Sequence, residues 1–363
     1  MISRTVLQTD FNALAHNVDV YKSFLNPSTK LCAVIKASGY GSSDVKLAEF
    51  YEERGVDFLA VAYTDEGIKL RKHGISSSIL VFNPEINCFD DLIKYNLQPT
   101  FYDFSQFKKL EEYKNTNFKI HIKLDSGMHR LGFEKNQIDK LIGKITENRT
   151  IEVASVFSHL AASEDRHKNE FTNNQIKLFS QLYNKIQSKL SYKPLKHILN
   201  SAGIIHFPKA QFDMVRLGIG MHSDDISNTI NDKLKAVHTL KTKIIQIKTI
   251  LPNEGIGYGI GYIKNYTRRI AIIPLGYADG IFRLLGNGNY KVWIKGSFAP
   301  IVGNVSMDTC FIDITDLKNI KLGDSVEIFG KNAKIQNCAS AANTISYEVL
   351  SRISPRVQRV FVK

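Results

Sequence analysis

Eight short apolar runs punctuate the first two thirds of this 363-residue chain. They are Leu31–Ile35, Phe58–Ala62, Ile79–Phe82, Pro99–Tyr102, Ile120–Leu124, Val153–Phe157, His197–Leu199 and Phe212–Val215. Short runs rich in β-branched and aromatic residues fit parallel strands buried on both faces. Helical-period segments lie between them. Residues 10–23 open on Asp10, a plausible cap, and set Phe11, Leu14, Val18 and Tyr21 on one face. Residues 168–190 space Phe171, Ile176, Phe179 and Leu182 in the same way. Strand and helix alternating eight times predict a (β/α)8 TIM barrel; a doubly wound open sheet has the same alternation and stays open at this point.

From about residue 235 the texture changes. Residues 241–250, 289–294 and 309–314 alternate, and turn signals come at Asn253-Glu-Gly255, Gly286-Asn-Gly288 and Lys321-Leu-Gly-Asp324. This predicts a barrel over 1–234 and a mainly-β C-terminal domain over 235–363, with one helix near 335–352. Neither internal repeats nor low-complexity stretches interrupt the pattern.

Composition excludes several classes of function. No apolar run approaches a membrane span, and the first residues, Met1-Ile-Ser-Arg-Thr5, show no apolar signal core, so a cytoplasmic protein is expected. Cys32, Cys88, Cys310 and Cys338 form no C-x-x-C pair and read as reduced thiols; no metal site is expected. The 48 Lys and Arg against 35 acids leave a net charge of +13, but basic and acidic residues are mixed throughout. Nothing resembles a nucleic-acid module, so the excess reads as a surface that attracts anionic metabolites.

In barrel enzymes the chemistry sits where strands end. Run one ends in Lys36, followed by Ala-Ser-Gly-Tyr40-Gly41. Run five carries Lys123 and ends in Asp125, ahead of Arg130. Run six leads to Ser158-His159, run seven to Asn200-Ser201-Ala-Gly203, and run eight to Arg216-Leu-Gly218-Ile219-Gly220. The last two loops lie where such barrels hold phosphate, and they offer a hydroxyl and closely approachable backbone N–H groups. A lysine desolvated at a strand end is a usable nucleophile and base. Together these features suggest pyridoxal 5'-phosphate held as a Schiff base on Lys36.

Six stretches now carry a specific resemblance. They are Ala33-Val-Ile-Lys36-Ala-Ser-Gly-Tyr40-Gly41, Lys123-Leu-Asp-Ser-Gly-Met-His-Arg130-Leu-Gly-Phe133 and Asn200-Ser-Ala-Gly203, then Val215-Arg-Leu-Gly-Ile219, Pro274-Leu-Gly-Tyr277-Ala-Asp-Gly280 and Ala299-Pro-Ile-Val-Gly-Asn-Val-Ser-Met307-Asp308. In order and over nearly the whole chain, they resemble bacterial alanine racemases. The resemblance implies an isomerase that interconverts L- and D-alanine and supplies D-alanine for peptidoglycan. Lys36 would carry the cofactor and handle the D-side proton. Tyr277, from the second domain of a partner subunit, would handle the L-side proton, so the active unit would be a homodimer with shared sites. Tyr40, Ser201, Gly218 and Ile219 would hold the phosphate. Arg130 would contact the cofactor's phenolic oxygen and the substrate carboxylate, His159 would lie against the ring, and Met307 would meet the substrate at the entrance. Arg216 would face the pyridine nitrogen, which it can serve only as a donor, limiting the electron sink. Lys123, His197 and Asp308 would play supporting roles, with Lys123 at a position that is often carbamylated.

The chain departs from the family pattern at Ser38-Gly39, at Ser42 for a histidine, at His222-Ser223 for Tyr-Gly, at Ser306 for a cysteine, and at Pro355 for a tyrosine. These put the phosphate anchoring and the pocket width in question. The rival readings are a racemase of another amino acid, a barrel-type decarboxylase and a pyridoxal-phosphate-binding relative with altered catalysis. Arg216 and Tyr277 argue against the decarboxylase, and the full second domain argues against a bare carrier.

Overall fold

The computed structural model describes residues 5–113, 117–148, 150–224 and 226–363. Residues 1–4, which hold most of the N-terminal stretch read above, lie outside that range. Among the described residues, seventeen strands form two sheets. The first strand, β1 (Thr5–Asp10), precedes the barrel; β2 (Lys30–Val34), β3 (Phe58–Val61), β4 (Ser78–Val81), β5 (Gln98–Phe101), β6 (Phe118–Lys123), β7 (Ile151–Phe157), β8 (Leu195–His197) and β9 (Met214–Leu217) then form an eight-stranded parallel sheet. Its order, β8-β7-β6-β5-β4-β3-β2-β9, is that of a barrel. Asp213 N donates to Lys196 O at 3.0 Å and Arg216 N to Leu199 O at 3.1 Å, which brings the two end strands together. The open doubly wound sheet is thereby ruled out.

Helices cover the barrel as the periodicity predicts. The helix Phe11–Lys22 starts where Asp10 accepts from Ala13 N at 2.9 Å, and it buries Leu14, Val18 and Tyr21. The helix Asn169–Gln187 buries Phe179 and Leu182, but Phe171 of the expected face is exposed. Two strands are displaced from their apolar runs. β8 starts before its run, and Ile198 and Leu199 are buried just beyond its end. β9 starts after Phe212, whose φ of 48° takes the chain out of extended geometry.

The second sheet is built from β10 (His238–Lys243), β11 (Gln246–Ile250), β12 (Arg268–Ile273), β13 (Lys291–Ile294), β14 (Ser297–Val302), β15 (Cys310–Asp313), β16 (Ser325–Phe329) and β17 (Gln358–Val362), in the order β11-β12-β15-β14-β13-β16-β10-β1-β17. The expected boundary between the units needs one correction. β1 belongs to this sheet, antiparallel to β10 and parallel to β17, so this strand, although it precedes the barrel in sequence, is part of the second unit. The strand is short and pairs only with residues more than two hundred positions away, so no local signal reveals its partner. The helix expected near 335–352 is two, Ile335–Ala341 and Ser346–Ser351, separated by Asn343 at a φ of 54°. Among the described residues, no helix is long and apolar enough to cross a membrane, and no cluster of side chains could hold a metal ion.

Candidate active site

The C-terminal ends of the barrel strands surround a cavity of about 490 Å³. Its lining includes Lys36, Tyr40, Lys123, Arg130, His159, Ser201, Arg216, Gly218 and Ile219. Residues spread over nearly two hundred positions are thus brought to one place by strand ends alone. A larger cavity of about 700 Å³ opens beside His222 and His238, but it contains none of these strand-end residues and its lysines, such as Lys331, are exposed.

Lys36 follows β2, and the chain after it takes an unusual path. Ala37, Ser38, Gly39, Tyr40 and Gly41 all have positive φ, between 53° and 76°, forming a left-handed turn. Gly39 N donates to Ile35 O and Gly41 N to Ala37 O, each at 2.9 Å. Left-handed geometry costs a non-glycine residue roughly 1 kcal/mol. Glu66 offsets that strain: its carboxylate accepts from Ala37 N at 2.6 Å, Ala62 N at 2.6 Å and Tyr63 N at 3.2 Å. Sequence reasoning missed Glu66, although an acid at the third position of the helix Thr64–Lys72 is a capping signal. The turn directs Tyr40 inward, and burial raises its phenol's pKa. Burial lowers the Lys36 amine, Arg130 lowers it further, and Glu66 partly opposes both.

Beside the turn, at the end of the neighbouring strand β9, lies a small cradle. Ser201 Oγ accepts from Gly218 N at 3.1 Å and from Gly220 N at 3.3 Å. Asn200 Oδ1 accepts from Gly203 N at 2.9 Å and fixes the start of the short helix Ser201–His206. A Cβ on Gly218 would collide with the Tyr40 hydroxyl, so glycine keeps open the space between the hydroxyl and the backbone.

Arg216 is buried, and its contacts are set by backbone and histidine. Nη2 donates to Ser158 O at 2.7 Å and Ile198 O at 3.0 Å and meets His159 Nδ1 at 3.1 Å, while Nη1 meets His197 Nδ1 at 2.6 Å. Arg216 makes no ion pair with Asp125. Asp125 instead accepts from the backbone N–H groups of Gly127, Met128 and His129. Burial lowers Arg216 to about 10, which leaves it charged at neutral pH. Lys123 falls to about 8, chiefly through burial, then through Arg130, Arg216 and Lys36. Glu164 is the one acid in the described lining, so the cavity is strongly cationic.

Tyr277, Met307 and Asp308 are elsewhere. They lie on loops of the second unit and do not line this cavity; Tyr277 is 41% and Met307 53% exposed. The two loops are tied to each other, with Tyr277 N donating to Ser306 O and Ala278 N to Met307 O, each at 3.0 Å. Arg356 spans both: its Nε donates to Asp279 at 2.7 Å and its Nη2 to Asp308 at 2.8 Å.

Matches to known proteins cover nearly all of this architecture. Residues 9–225 fit the family model "Alanine racemase, N-terminal domain", and residues 237–361 fit "Alanine racemase, C-terminal domain". The chain belongs to the alanine racemase family. It is 36% identical to alanine racemase 1 of Clostridium acetobutylicum over 98% of its own length and 95% of that protein. It is also 36% identical to the alanine racemase of Clostridium kluyveri, over 98% of its length and 93% of that protein. The solved structure of alanine racemase from Clostridium difficile 630 superposes with a TM-score of 0.93 at 34% identity, covering 100% of this chain and 96% of that one. Members of this family are isomerases, and the chain is an enzyme of that class.

Two departures from the family pattern turn out to be linked. Ser42 Oγ bonds Thr9 Oγ1 at 2.9 Å, Thr9 meets His238 Nδ1 at 3.1 Å, and His238 Nε2 meets His222 Nδ1 at 2.9 Å. The His222 ring then packs against Tyr40 at 4.8 Å. Ser42 and His222 are therefore the two ends of one buried run behind Tyr40. Pro355 does not line the cavity; Tyr347 does, and it packs 5.9 Å from the Tyr40 ring. Tyr347 was missed because it lies on a short helix of the second unit, outside every stretch that carried the resemblance.

Proposed function

We propose that this enzyme interconverts L- and D-alanine with pyridoxal phosphate held in the barrel cavity, and that it supplies D-alanine for peptidoglycan from the cytoplasm. One observation carries the cofactor reading. A lysine lies in a cationic cavity beside a glycine cradle, on the neighbouring strand, that a single Cβ would fill. A phosphate dianion and a substrate carboxylate together suit that charge. Four free cysteines suit a reducing compartment.

Tyr40, Ser201, Gly218 and Ile219 would hold the phosphate, Lys36 the aldehyde carbon, and Arg216 the ring nitrogen. The bound cofactor supplies an electron sink that acidifies the substrate's α-proton. Arg216 donates and does not surrender a proton, so it leaves that sink weak and favours proton exchange over further bond cleavage. Arg130 orients the substrate carboxylate, and Met307 meets the substrate at the entrance. Lys36, its ammonium form disfavoured by burial, holds or moves the proton on the D side. Tyr277 of the partner subunit does so on the L side. His159 would lie against the ring, and Arg216 sets its position.

The test is D-alanine formation from L-alanine by the purified protein with added pyridoxal phosphate, beside L-serine and L-lysine. Fast conversion of alanine alone is expected. No conversion of any of the three with cofactor bound would overturn the reading. Lys36→Ala is expected to lose both activity and the visible absorbance of lysine-bound cofactor. Tyr277→Phe is expected to keep that absorbance and lose racemisation.

A further inference from the structure

Behind Arg216, a buried hydrogen-bonded run crosses the barrel interior. Arg216 Nη1 meets His197 Nδ1 at 2.6 Å, and His197 Nε2 meets Ser155 Oγ at 2.8 Å. Ser155 Oγ meets His121 Nδ1 at 2.6 Å, and His121 Nε2 meets Gln98 Oε1 at 2.9 Å. Gln98 Nε2 then reaches Ser78 Oγ at 3.3 Å. The members lie on β9, β8, β7, β6, β5 and β4, one from each strand in turn around the barrel. Such an interior is ordinarily filled by branched apolar side chains.

Donor and acceptor chemistry gives the run one direction. A guanidinium only donates, so His197 Nδ1 accepts. Burial and the neighbouring Arg216 charge keep His197 neutral, so its single proton is on Nε2 and goes to Ser155 Oγ. Ser155 has one proton of its own, and its other neighbour is His121 Nδ1. Burial holds His121 neutral as well, with a pKa of about 3, so its proton is on Nε2 and faces the Gln98 carbonyl oxygen. Every group is satisfied in this arrangement. Phe157 fixes the ring planes, stacking on His197 at 4.9 Å and lying 5.2 Å beneath the Arg216 guanidinium.

We infer that His121, together with Ser155 and Gln98, is a positioning residue for Arg216: it takes the Ser155 proton, holds His197 in its Nε2–H form, and so keeps His197 Nδ1 as the acceptor that locks the guanidinium. Without His121, the Ser155 proton has no acceptor on that side and turns to His197 Nε2. That requires the opposite tautomer, which aims an Nδ1–H at a group that can only donate. An unpaired buried polar group is unfavourable, so the two donors separate and Arg216 loses its alignment. That Arg216 serves a cofactor ring rests on the proposed function; the proton arrangement does not.

Nitrogen-15 spectra of histidine-labelled protein distinguish the two ring tautomers. In the wild-type holoenzyme, His197 and His121 are both expected as neutral Nε2–H forms. His121→Phe is expected to move His197 to the Nδ1–H form and lower racemisation about tenfold, the scale seen when an orienting partner of a functional group is lost. His121→Gln is expected to restore both readouts, since its amide can accept from Ser155 and donate to Gln98. A wild-type His197 or His121 carrying its proton on Nδ1 would overturn the inference, and that measurement needs no variant to fold. So would a His121→Phe protein whose His197 tautomer is unchanged. If the tautomers are as expected but alanine is not racemised, the proposed function fails and the lock stands.

Discussion

Burial holds the Lys123 amine at about 8, and Arg130, Arg216 and Lys36 push it in the same direction. An unfolded lysine titrates near 10.4, so the unfolded chain binds more protons than the folded one between the two values. Stability therefore rises with pH across that window, and the penalty of the buried charge is fully present below about 8. Lys123→Met removes the charge and keeps the stem. In cofactor-free protein at pH 7, the variant is expected to be more stable by roughly 2 kcal/mol, the gain fading as pH approaches 10. Urea unfolding at several pH values reads this directly. Buffers must be free of CO2, because the neutral amine is the form that adds CO2 to give a carbamate. A variant less stable than wild type at pH 7, or a gain that does not change with pH, would show that Lys123 has a compensating anionic partner.

At the scale of elements, the left-handed turn from Ala37 to Gly41 depends on a helix that begins 23 residues after the turn ends. Glu66→Ala removes the acceptor of Ala37 N, Ala62 N and Tyr63 N together. Loss of a charged acceptor from several backbone donors is expected to destabilise the protein by about 2 kcal/mol. It is also expected to weaken cofactor binding, because the turn aims both Lys36 and Tyr40. Unfolding midpoints and cofactor titration measure the two effects; an unchanged affinity would mean the turn holds its shape unaided. What was legible in the sequence follows the same division between local and distant. Lys36 and Arg216 stood out because an apolar run ending in a cation is a local pattern. The Asp10 cap was equally local. Tyr347 and β1 were not legible in this way, since each gains its meaning from a partner far along the chain; Glu66 carried a local capping signal, but its contact with Ala37 lay outside it. The single helix expected near 335–352 failed because Asn343 accepts a positive φ inside an otherwise helical pattern. His121 fell within run five as if it were one more buried residue, and only the neighbouring strands reveal what it faces.

At the scale of the molecule, one chain does not bring the two proposed bases together. Tyr277 is 41% exposed and outside the lining of its own chain's cavity. The second unit also exposes other apolar side chains, among them Tyr258 at 71% and Ile260 at 69%. Exposed apolar groups of this size suit a protein interface better than open water. A two-fold dimer would place each Tyr277 at the other subunit's cavity, and Arg356, gripping Asp279 and Asp308, would hold the presenting loops in shape. Lys36→Ala and Tyr277→Phe proteins, each inactive alone, make this testable by exchange. Random mixing of equal amounts makes half the dimers mixed, and each mixed dimer has one site with both bases and one with neither. About a quarter of the wild-type rate per subunit is therefore expected to return. If each chain supplied both of its own bases, no site in the mixture would be whole and the rate would stay at zero. Subunit exchange is verified with a tag on one partner, so a zero rate with mixed dimers present would reject the shared site, and a recovered rate would reject the single-chain one.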